Sequence, residues 1–526
     1  MRKSESAAGG KRSRWWAAGA WVMVLALCGL AGWPVVAGGE ATEVVTVEGG
    51  DVQGEIRDGV RSFKGVPYAA PPVGEWRWRP PQPAPAWQGI REAREFGPDC
   101  PQSPYPRLSL FYSPPRVQQE DCLCLNVWTA ARAGEKRPVM VWIHGGALTR
   151  GSGAAPTYDG ASLARQGVVL VTLNYRLGVL GFLAHRELSA ESPKGASGNY
   201  GILDQLAALR WVSRNIAAFG GDPGKVTIFG ESAGAWSVNA LVASPLGKGL
   251  FHRAIGQSGG TFGPGVRREA AEEAWGRRVA EVLGAGSLSD LRAVPAERLV
   301  EATDKLTPRL QTIVDGWVLP EEVSTIFARG KQNPVPVIVG SNAREMTSLL
   351  APAAIPRTVE AYRRSVATLF RERSGELDRV YPVESDAGVS EAYLSLLRDY
   401  TFTSQMRRWA RLTGTTRAKA WWYYFSHAPP IPNSDYLGAF HAAEIAYVFR
   451  NLSFSRVAPR EVDERLAETI STYWVNFART GDPNGQGLPK WPAYRQGAEP
   501  YLELGTTIKV GQNLLKEQLD LLDNLR

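Results

Sequence analysis

Residues 225–243 read KVTIFGESAGAWSVNALVA and decide the fold. A short β-branched run, 225–229, is joined to an apolar stretch of helical character, 233–243, by the pentapeptide 230–234. This pentapeptide fits the nucleophile elbow G-x-S-x-G, whose flanking glycines permit a sharp turn from strand to helix. Such a turn exposes the serine oxygen, so we predict that Ser232 is a nucleophile.

A second match to the same pattern lies at residues 256–260, which read GQSGG. The pattern alone is therefore weak, and the context has to separate the two serines. Ser258 runs into Thr-Phe-Gly-Pro at 261–264, a sequence that cannot begin a helix at once. We interpret Ser258 as a structural residue, or as one that supports the pocket around Ser232.

The elbow belongs to a series of short apolar runs separated by longer amphipathic stretches. This alternation is typical of a largely parallel sheet covered by helices, so we predict an α/β fold with a mostly parallel central sheet and a short N-terminal β region. No repeat or linker divides residues 38–526, which we interpret as one catalytic domain. The predicted strands are 138–143, 168–174, 225–229, 253–256, 335–340 and 420–425, with a helix over 200–219.

A glycine-rich segment, His144-Gly145-Gly146-Ala147, directly follows the first of these runs. Attack by a serine on an ester creates a negative oxygen, which backbone N–H groups can stabilise. In isolation the segment would indicate only a tight turn, but an elbow follows it in the chain. We therefore predict that Gly146, Ala147 and Ala233 donate to the oxyanion.

The N-terminus is typical of an export signal. A basic stretch ends at Arg14, residues 15–36 are apolar, and Val35-Val36-Ala37 offers a cleavage site. We predict cleavage after Ala37 and a secreted or periplasmic protein; an uncleaved anchor is the alternative and would be the only membrane contact.

The charge and cysteine content exclude other classes of function. The formal net charge is +8, but the first 37 residues hold five basic residues against one acidic residue, and no basic run follows, so we expect no nucleic-acid partner. Once the signal is removed, Cys100, Cys122 and Cys124 remain, enough for one disulfide whose pairing the spacing does not decide. The sequence offers no closely spaced histidine pair or Cys/His cluster, so we predict neither a metal nor a cofactor.

The elbow, the glycine-rich segment and several further motifs together resemble the type-B carboxylesterase and cholinesterase family, in particular its secreted bacterial members. The resemblance covers residues 44–495. It implies the α/β-hydrolase fold, a small-molecule ester substrate, an acyl-enzyme intermediate and a Cys100–Cys122 disulfide, with Cys124 left where the family usually has tyrosine. The further motifs are GVPYA at 65–69, EDCL at 120–123, NYRLG at 174–178, FGGDP at 219–223, WVNFA at 474–478 and WP at 491–492.

Two departures from the family pattern concern the substrate. Ala147-Leu148 stands where many relatives carry Gly-Phe, which keeps the backbone donors but changes the side chain facing the acyl group. Tyr112 lies about where cholinesterases place a tryptophan that stacks on choline, so the resemblance does not favour a choline ester.

The acid of the triad must lie between the serine and the histidine in an α/β-hydrolase. Asp315 precedes the run 335–340, whereas Glu345 follows it in a Gly-x-Asn-x-x-Glu segment that resembles the family's acid segment. We predict that Glu345 is the acid and that Asp315 is structural.

Two histidines come late enough in the chain to be the base. His427 ends a predicted strand, but His441 lies in GAFHAAE at 438–444, which resembles the family's catalytic-histidine segment. We therefore predict a Ser232–Glu345–His441 triad. Glu231 either adds negative potential to the pocket or has no role beyond packing.

Three functions fit these residues. A carboxylesterase that works through an acyl-enzyme is favoured, a lipase that acts on longer acyl chains is the nearer alternative, and a non-catalytic adhesion protein is the third. Because the serine, acid, histidine and oxyanion segment are all present, a purely binding role is disfavoured.

Overall fold

The computed structural model describes residues 39–525, apart from residues 108, 305, 308 and 453–456. The predicted signal and its cleavage site lie outside the described residues. From Gly39 onward the chain forms one compact unit.

The strands are short, and most of them belong to one central sheet. They are β1 Glu40–Ala41, β2 Val45–Val47, β3 Gly50–Gln53, β4 Glu55–Arg57, β5 Val60–Pro67, β6 Ile90–Glu92, β7 Cys124–Thr129, β8 Arg137–Ile143, β9 Val169–Leu173, β10 Gly221–Glu231, β11 Arg253–Gln257, β12 Val266–Arg267, β13 Ile313–Val314, β14 Val337–Asn342, β15 Ala420–Phe425, β16 Pro500–Leu504 and β17 Ile508–Gln512.

The helices cover the sheet and connect its strands. They are α1 Ala161–Arg165, α2 Gly178–Phe182, α3 Arg186–Glu191, α4 Tyr200–Asn215, α5 Ala233–Ala243, α6 Arg268–Ala271, α7 Arg277–Leu283, α8 Leu288–Ala293, α9 Ala296–Thr303, α10 Val323–Ala328, α11 Val359–Phe370, α12 Ser374–Leu377, α13 Val389–Arg398, α14 Ser404–Thr413, α15 Ser434–Leu437, α16 Ile445–Phe449, α17 Glu461–Thr480 and α18 Lys516–Asn524.

The central sheet contains twelve strands within the described residues, in the order β1-β4-β5-β7-β9-β8-β10-β11-β14-β15-β16-β17. In this order, the seven strands β9, β8, β10, β11, β14, β15 and β16 are parallel to one another. At one edge β17 pairs antiparallel with β16, and at the other β7 pairs antiparallel with β9, as do β5, β4 and β1 with their neighbours. A small sheet of β2, β3 and β6 forms the predicted N-terminal β region. The predicted fold class is confirmed.

Both faces of the sheet are buried, which explains why the central strands are apolar throughout. Side chains alternate along a strand. In β8, Val139 and Val141 belong to a hydrophobic cluster that includes residues of α4 and α5. Met140 and Trp142 belong to a second cluster that includes residues of α1, α16 and α17. The sheet is therefore the middle layer between two sets of helices.

Several predicted boundaries differ from the structure. The strand predicted over 335–340 is β14 at Val337–Asn342, because Pro334 and Pro336 have no N–H to donate to a ladder. The strand predicted over 225–229 is the longer strand β10. It includes Gly230 and Glu231, which pair with β11, and it ends directly before Ser232. The predicted helix 200–219 is α4 followed by a short 3-10 turn at Ile216–Phe219.

Among the described residues, no helix combines the length and the apolar character that crossing a membrane requires.

Candidate active site

Ser232 occupies a strained turn between β10 and α5. Its φ of 56° and ψ of −123° lie in a region that a residue with a side chain rarely adopts. The turn is held on both sides, since Ser232 N–H donates to Gln257 O at 2.9 Å and Trp236 N–H donates to Ser232 O at 3.0 Å. Ser232 is half-buried at the start of the helix. The arrangement is the predicted elbow.

The glycines of the elbow are required by close packing. A Cβ on Gly230 would lie 2.6 Å from the carbonyl oxygen of Ile143, and a Cβ on Gly234 would overlap the same oxygen. The turn therefore lies directly against the end of β8, where the oxyanion segment begins.

The segment 144–151, which we call the oxyanion loop, presents free amides beside Ser232. Gly146 and Ala147 have positive φ values of 108° and 55°, and their N–H groups donate no hydrogen bond within the described part of the chain. Ala233 is the first residue of α5, so its N–H has no partner inside the helix. A Cβ on Gly145 would lie 3.2 Å from the Cβ of Ser232, which places the loop against the nucleophile. The three predicted donors therefore lie in segments that pack against one another.

His441 is joined to Glu345 by a short hydrogen bond, 2.6 Å between Nδ1 and Oε2. The two segments are also joined through backbone, because Arg344 N–H donates to Ala439 O at 2.9 Å. The second oxygen of Glu345 accepts the N–H of Asn342 at 2.7 Å. Since Nδ1 is engaged by Glu345, Nε2 is the nitrogen that remains to accept a proton.

Glu231 lies on the other side of the imidazole. Its Oε1 is 3.1 Å from His441 Nε2, yet this oxygen accepts no hydrogen bond within residues 39–525 as far as they are described. The contact is therefore electrostatic. Burial raises the pKa of Glu231 well above its usual value, and the attraction of His441 opposes that rise.

The protonation of His441 follows from this acidic surrounding. Burial alone would lower the pKa of His441, but the charges of Glu231 and Glu345 and the hydrogen bond to Glu345 raise it to about 9. Glu444 is a third buried carboxylate nearby; it accepts hydrogen bonds from Gln257 Nε2 at 3.0 Å and from Asn342 Nδ2 at 2.5 Å. Burial raises its pKa too. The carboxylates around His441 thus favour its protonated, imidazolium form.

Two aromatic side chains near His441, and a third between one of them and the oxyanion loop, were missed by the sequence analysis. The ring of Phe402 lies 4.8 Å from the imidazole and that of Phe111 lies 6.4 Å from it, measured between centroids. Tyr105 lies 5.9 Å from Phe111 and its hydroxyl would be 3.1 Å from a Cβ on Gly146. Phe111 therefore approaches the histidine from the segment in which Tyr112 was noted. No periodicity in the sequence connects these positions.

Ser258 lies beside the elbow, directly after β11, and shares the positive φ of Ser232, 50° against 56°. Its N–H donates to Gly340 O at 2.8 Å, and a Cβ on the next residue, Gly259, would overlap the carbonyl of Ser232. Its hydroxyl is fully buried and has no hydrogen-bond partner among the described residues. Unlike Ser232, it does not begin a helix, because the next element in the chain is the strand β12. Its role as a structural or pocket-supporting residue stays a prediction.

The alternative acid and base lie in other networks. Asp315 accepts the N–H groups of Trp317 and Leu319 at 3.1 and 2.9 Å, which is the geometry of a structural turn. His427 Nε2 donates to Asp463 Oδ1 at 2.6 Å, and Arg460 Nε also donates to Asp463. Neither contacts His441, Glu345 or Glu231 in any of these bonds.

Cys100 and Cys122 form a disulfide, as the family resemblance implied. Cys124 is a free, buried thiol, and burial raises its pKa to about 12. Within the described ranges, no three His, Cys, Asp or Glu side chains are arranged so that they could hold a metal ion.

Comparisons with known proteins identify the family of the chain. A model of the carboxylesterase family matches residues 41–522. The chain is 38% identical over 514 residues to the fumonisin B1 esterase of Sphingopyxis macrogoltabida, covering 94% of this chain and 92% of that protein. It is 38% identical over 487 residues to the para-nitrobenzyl esterase of Bacillus subtilis, covering 89% of this chain and 96% of that protein.

Solved structures give the same result. A PNB esterase superposes with a TM-score of 0.81 at 35% identity, covering 90% of this chain and 99% of that one. A carboxylesterase of Geobacillus stearothermophilus superposes with a TM-score of 0.80 at 36% identity, covering 91% and 99%. The chain therefore belongs to the carboxylesterase family and is a carboxylic-ester hydrolase.

Proposed function

We propose that the protein hydrolyses carboxylic esters through an acyl-enzyme on Ser232, with His441 as base, Glu345 as acid, and Gly146, Ala147 and Ala233 as oxyanion donors. The observation that carries the proposal is the pairing of His441 Nδ1 with Glu345 at 2.6 Å, which leaves Nε2 as the imidazole nitrogen that can accept the serine proton.

The reaction proceeds in two halves. His441 Nε2 takes the Ser232 hydroxyl proton as Oγ attacks the ester carbonyl, and the negative oxygen that forms is stabilised by the three backbone N–H groups. The carbon–oxygen bond to the alcohol breaks, and His441 returns the proton to the departing alkoxide. Water then attacks the acyl-enzyme with the same proton transfers, which releases the carboxylic acid and restores Ser232.

Glu231 assists by its charge in this proposal. It faces Nε2 at 3.1 Å without a hydrogen bond, so it can stabilise the imidazolium that forms in both halves of the reaction. The same charge raises the pKa of His441 in the resting enzyme, so the gain at neutral pH is partly offset.

The decisive test replaces Ser232 by alanine and compares it with Ser258→Ala, which removes the other serine that fits the motif. We expect S232A to lose turnover of a soluble p-nitrophenyl ester and S258A to keep most of it. Loss in S258A with retention in S232A would reverse the assignment, and retention in both would reject the serine mechanism.

The acyl and alcohol preference can be measured on the same enzyme. Phe111 and Phe402 flank the imidazole, which favours apolar groups close to the reacting carbon. We propose activity on dissolved short-chain esters, as expected of an esterase. A panel of esters that varies acyl length and alcohol bulk tests this, and a preference for emulsified long-chain esters would identify a lipase instead.

We also propose that the protein is exported by its N-terminal segment. The Cys100–Cys122 disulfide supports an oxidising compartment. N-terminal sequencing of the mature protein is expected to begin at Gly38, whereas a chain that retains residues 1–37 in the membrane fraction would indicate an uncleaved anchor.

A further inference from the structure

Gln102 connects two loops that meet beside the active site. One is the disulfide loop, residues 100–122, and the other is the oxyanion loop, residues 144–151. Gly151 N–H donates to Gln102 Oε1 at 2.7 Å, and Gln102 Nε2 donates to Gly151 O at 2.9 Å. This paired contact requires a donor and an acceptor on one side chain, which a carboxamide provides.

Gly151 is packed directly on the start of the oxyanion loop. Its φ is 114°, and a Cβ at this position would overlap His144 Nδ1 and Gly145 O. A displacement of Gly151 would therefore be transmitted by contact to the residues that precede Gly146. Because packed backbone yields little, the contact fixes where the Gly146 and Ala147 amides point.

Arg150 and Ser103, which are next to Gly151 and Gln102 in the chain, form a second link between the two loops. Arg150 Nε donates to Ser103 O at 2.9 Å, and Arg150 N–H donates to Gly146 O at 3.0 Å. The turn that presents the oxyanion amides is therefore joined to the disulfide loop at two consecutive positions. This makes the disulfide loop part of the support of the oxyanion loop.

Gln102 is itself firmly held. Its N–H donates to Gln118 Oε1 at 3.0 Å, and its Nε2 also donates to Cys100 O at 3.0 Å. Cys100 is bonded to Cys122, which closes the loop. The carboxamide is thus a fixed point against which Gly151 is positioned.

We propose that Gln102 is a positioning residue for the oxyanion loop. It contacts no reacting atom and acts by holding Gly151, and through it the amides of Gly146 and Ala147, where the negative oxygen forms. The inference rests on the proposed function, because it assigns a geometric support to that same site. Its loss weakens the transition state more than the bound substrate.

The test uses Gln102→Met, which keeps the length of the side chain and removes both hydrogen bonds to Gly151, together with the one to Cys100 O. The matched control is Gln53→Met, since Gln53 Nε2 donates to a backbone oxygen, Thr42 O, at 2.9 Å in the N-terminal β region. Three quantities are measured: kcat, normalised by the concentration of active sites, KM, and the affinity for a trifluoromethyl ketone. The ketone forms a hemiketal oxyanion on the serine.

In Q102M we expect kcat/KM to fall by about tenfold to hundredfold, mainly in kcat, since small displacements of catalytic groups have effects of this size. Affinity for the ketone should fall in parallel, and Q53M should match the wild type in both. A merely structural role would lower stability without moving ketone affinity per active site.

Unchanged kcat/KM and ketone affinity in Q102M would overturn the inference. If Q102M does not fold, Gln102→Glu, which keeps an acceptor and loses the donor to Gly151 O, is judged by the same criteria. Failure of the proposed function is distinguishable, since the wild-type enzyme would then form no ketone adduct on Ser232.

Discussion

In the proposed mechanism His441 is the base, so its pKa sets how the rate depends on pH. The base must be neutral to accept the serine proton, and the pKa of His441 is raised to about 9 by Glu231 and Glu345 in spite of burial. The rate should therefore rise with pH up to about 9, because the charged imidazolium, favoured below that pH, is inactive as a base.

Replacing Glu231 with glutamine tests the source of that shift. Removing a negative neighbour disfavours the imidazolium, so the rising limb of the kcat/KM profile should move to lower pH, by roughly one unit. Asp315→Asn is the control, because Asp315 is also a buried carboxylate but does not contribute to the pKa of His441. A limb that stays in place in E231Q would mean that Glu231 is uncharged over this range and would contradict its proposed role.

Glu345 orients the imidazole, and its replacement should be costly. Glu345→Gln removes the charge that pairs with Nδ1, so kcat should fall by roughly a thousandfold to ten-thousandfold, as when the acid of a comparable triad is neutralised. The measurement is kcat per folded molecule, with Asp315→Asn again as control. Comparable losses in the two variants would disprove the assignment of the acid.

At the residue scale, the sequence was informative where chemistry leaves a local signature. Ser232 is predicted from its glycines and from the helix after it, and Glu345 from its position after a strand; both roles stay predictions. Phe402 and Phe111 could not be predicted, because they reach His441 from distant parts of the chain and no local pattern records such a contact. The placement of Glu231 against Nε2 also required coordinates.

The elbow is the element on which the site depends. Gly230→Ala would bring a Cβ to 2.6 Å from Ile143 O, and such overpacking costs about 1–3 kcal/mol or more. Gly375→Ala is the control, because Gly375 lies in α12 with open space around it and alanine favours helix. Denaturant unfolding should show a lower free energy of unfolding for G230A alone; equal midpoints for both would contradict the packing described.

At the element scale, the central strands were predictable and the edges were not. β8, β9, β11 and β15 agree with the predicted runs because strands buried on both faces are continuous apolar sequences. The strands β16 and β17 were not predicted, because each has only five residues; β16 alternates buried with half-buried residues, and β17 has no buried residue, so neither forms a continuous apolar run. The start of β14 was misplaced because two prolines interrupt an otherwise strand-like run.

At the scale of the whole molecule, the disulfide closes a loop between residues 22 positions apart. Reducing it should lower the free energy of unfolding by about 2–4 kcal/mol, since the unfolded chain regains entropy. Guanidinium unfolding of Cys100→Ser against wild type measures this, and Cys124→Ser, which removes only the free thiol, is the control. A C100S midpoint equal to that of the wild type would contradict a stabilising disulfide.

The central claim is that the Ser232 oxygen becomes covalently acylated, and labelling measures this most directly. The enzyme is inactivated with a fluorophosphonate, digested, and analysed by mass spectrometry. We predict one label per active site, on the peptide that contains Ser232, with activity lost in proportion to labelling and no label in S232A. Full inactivation with the label on another residue, or hydrolysis that persists after Ser232 is fully labelled, would contradict the account.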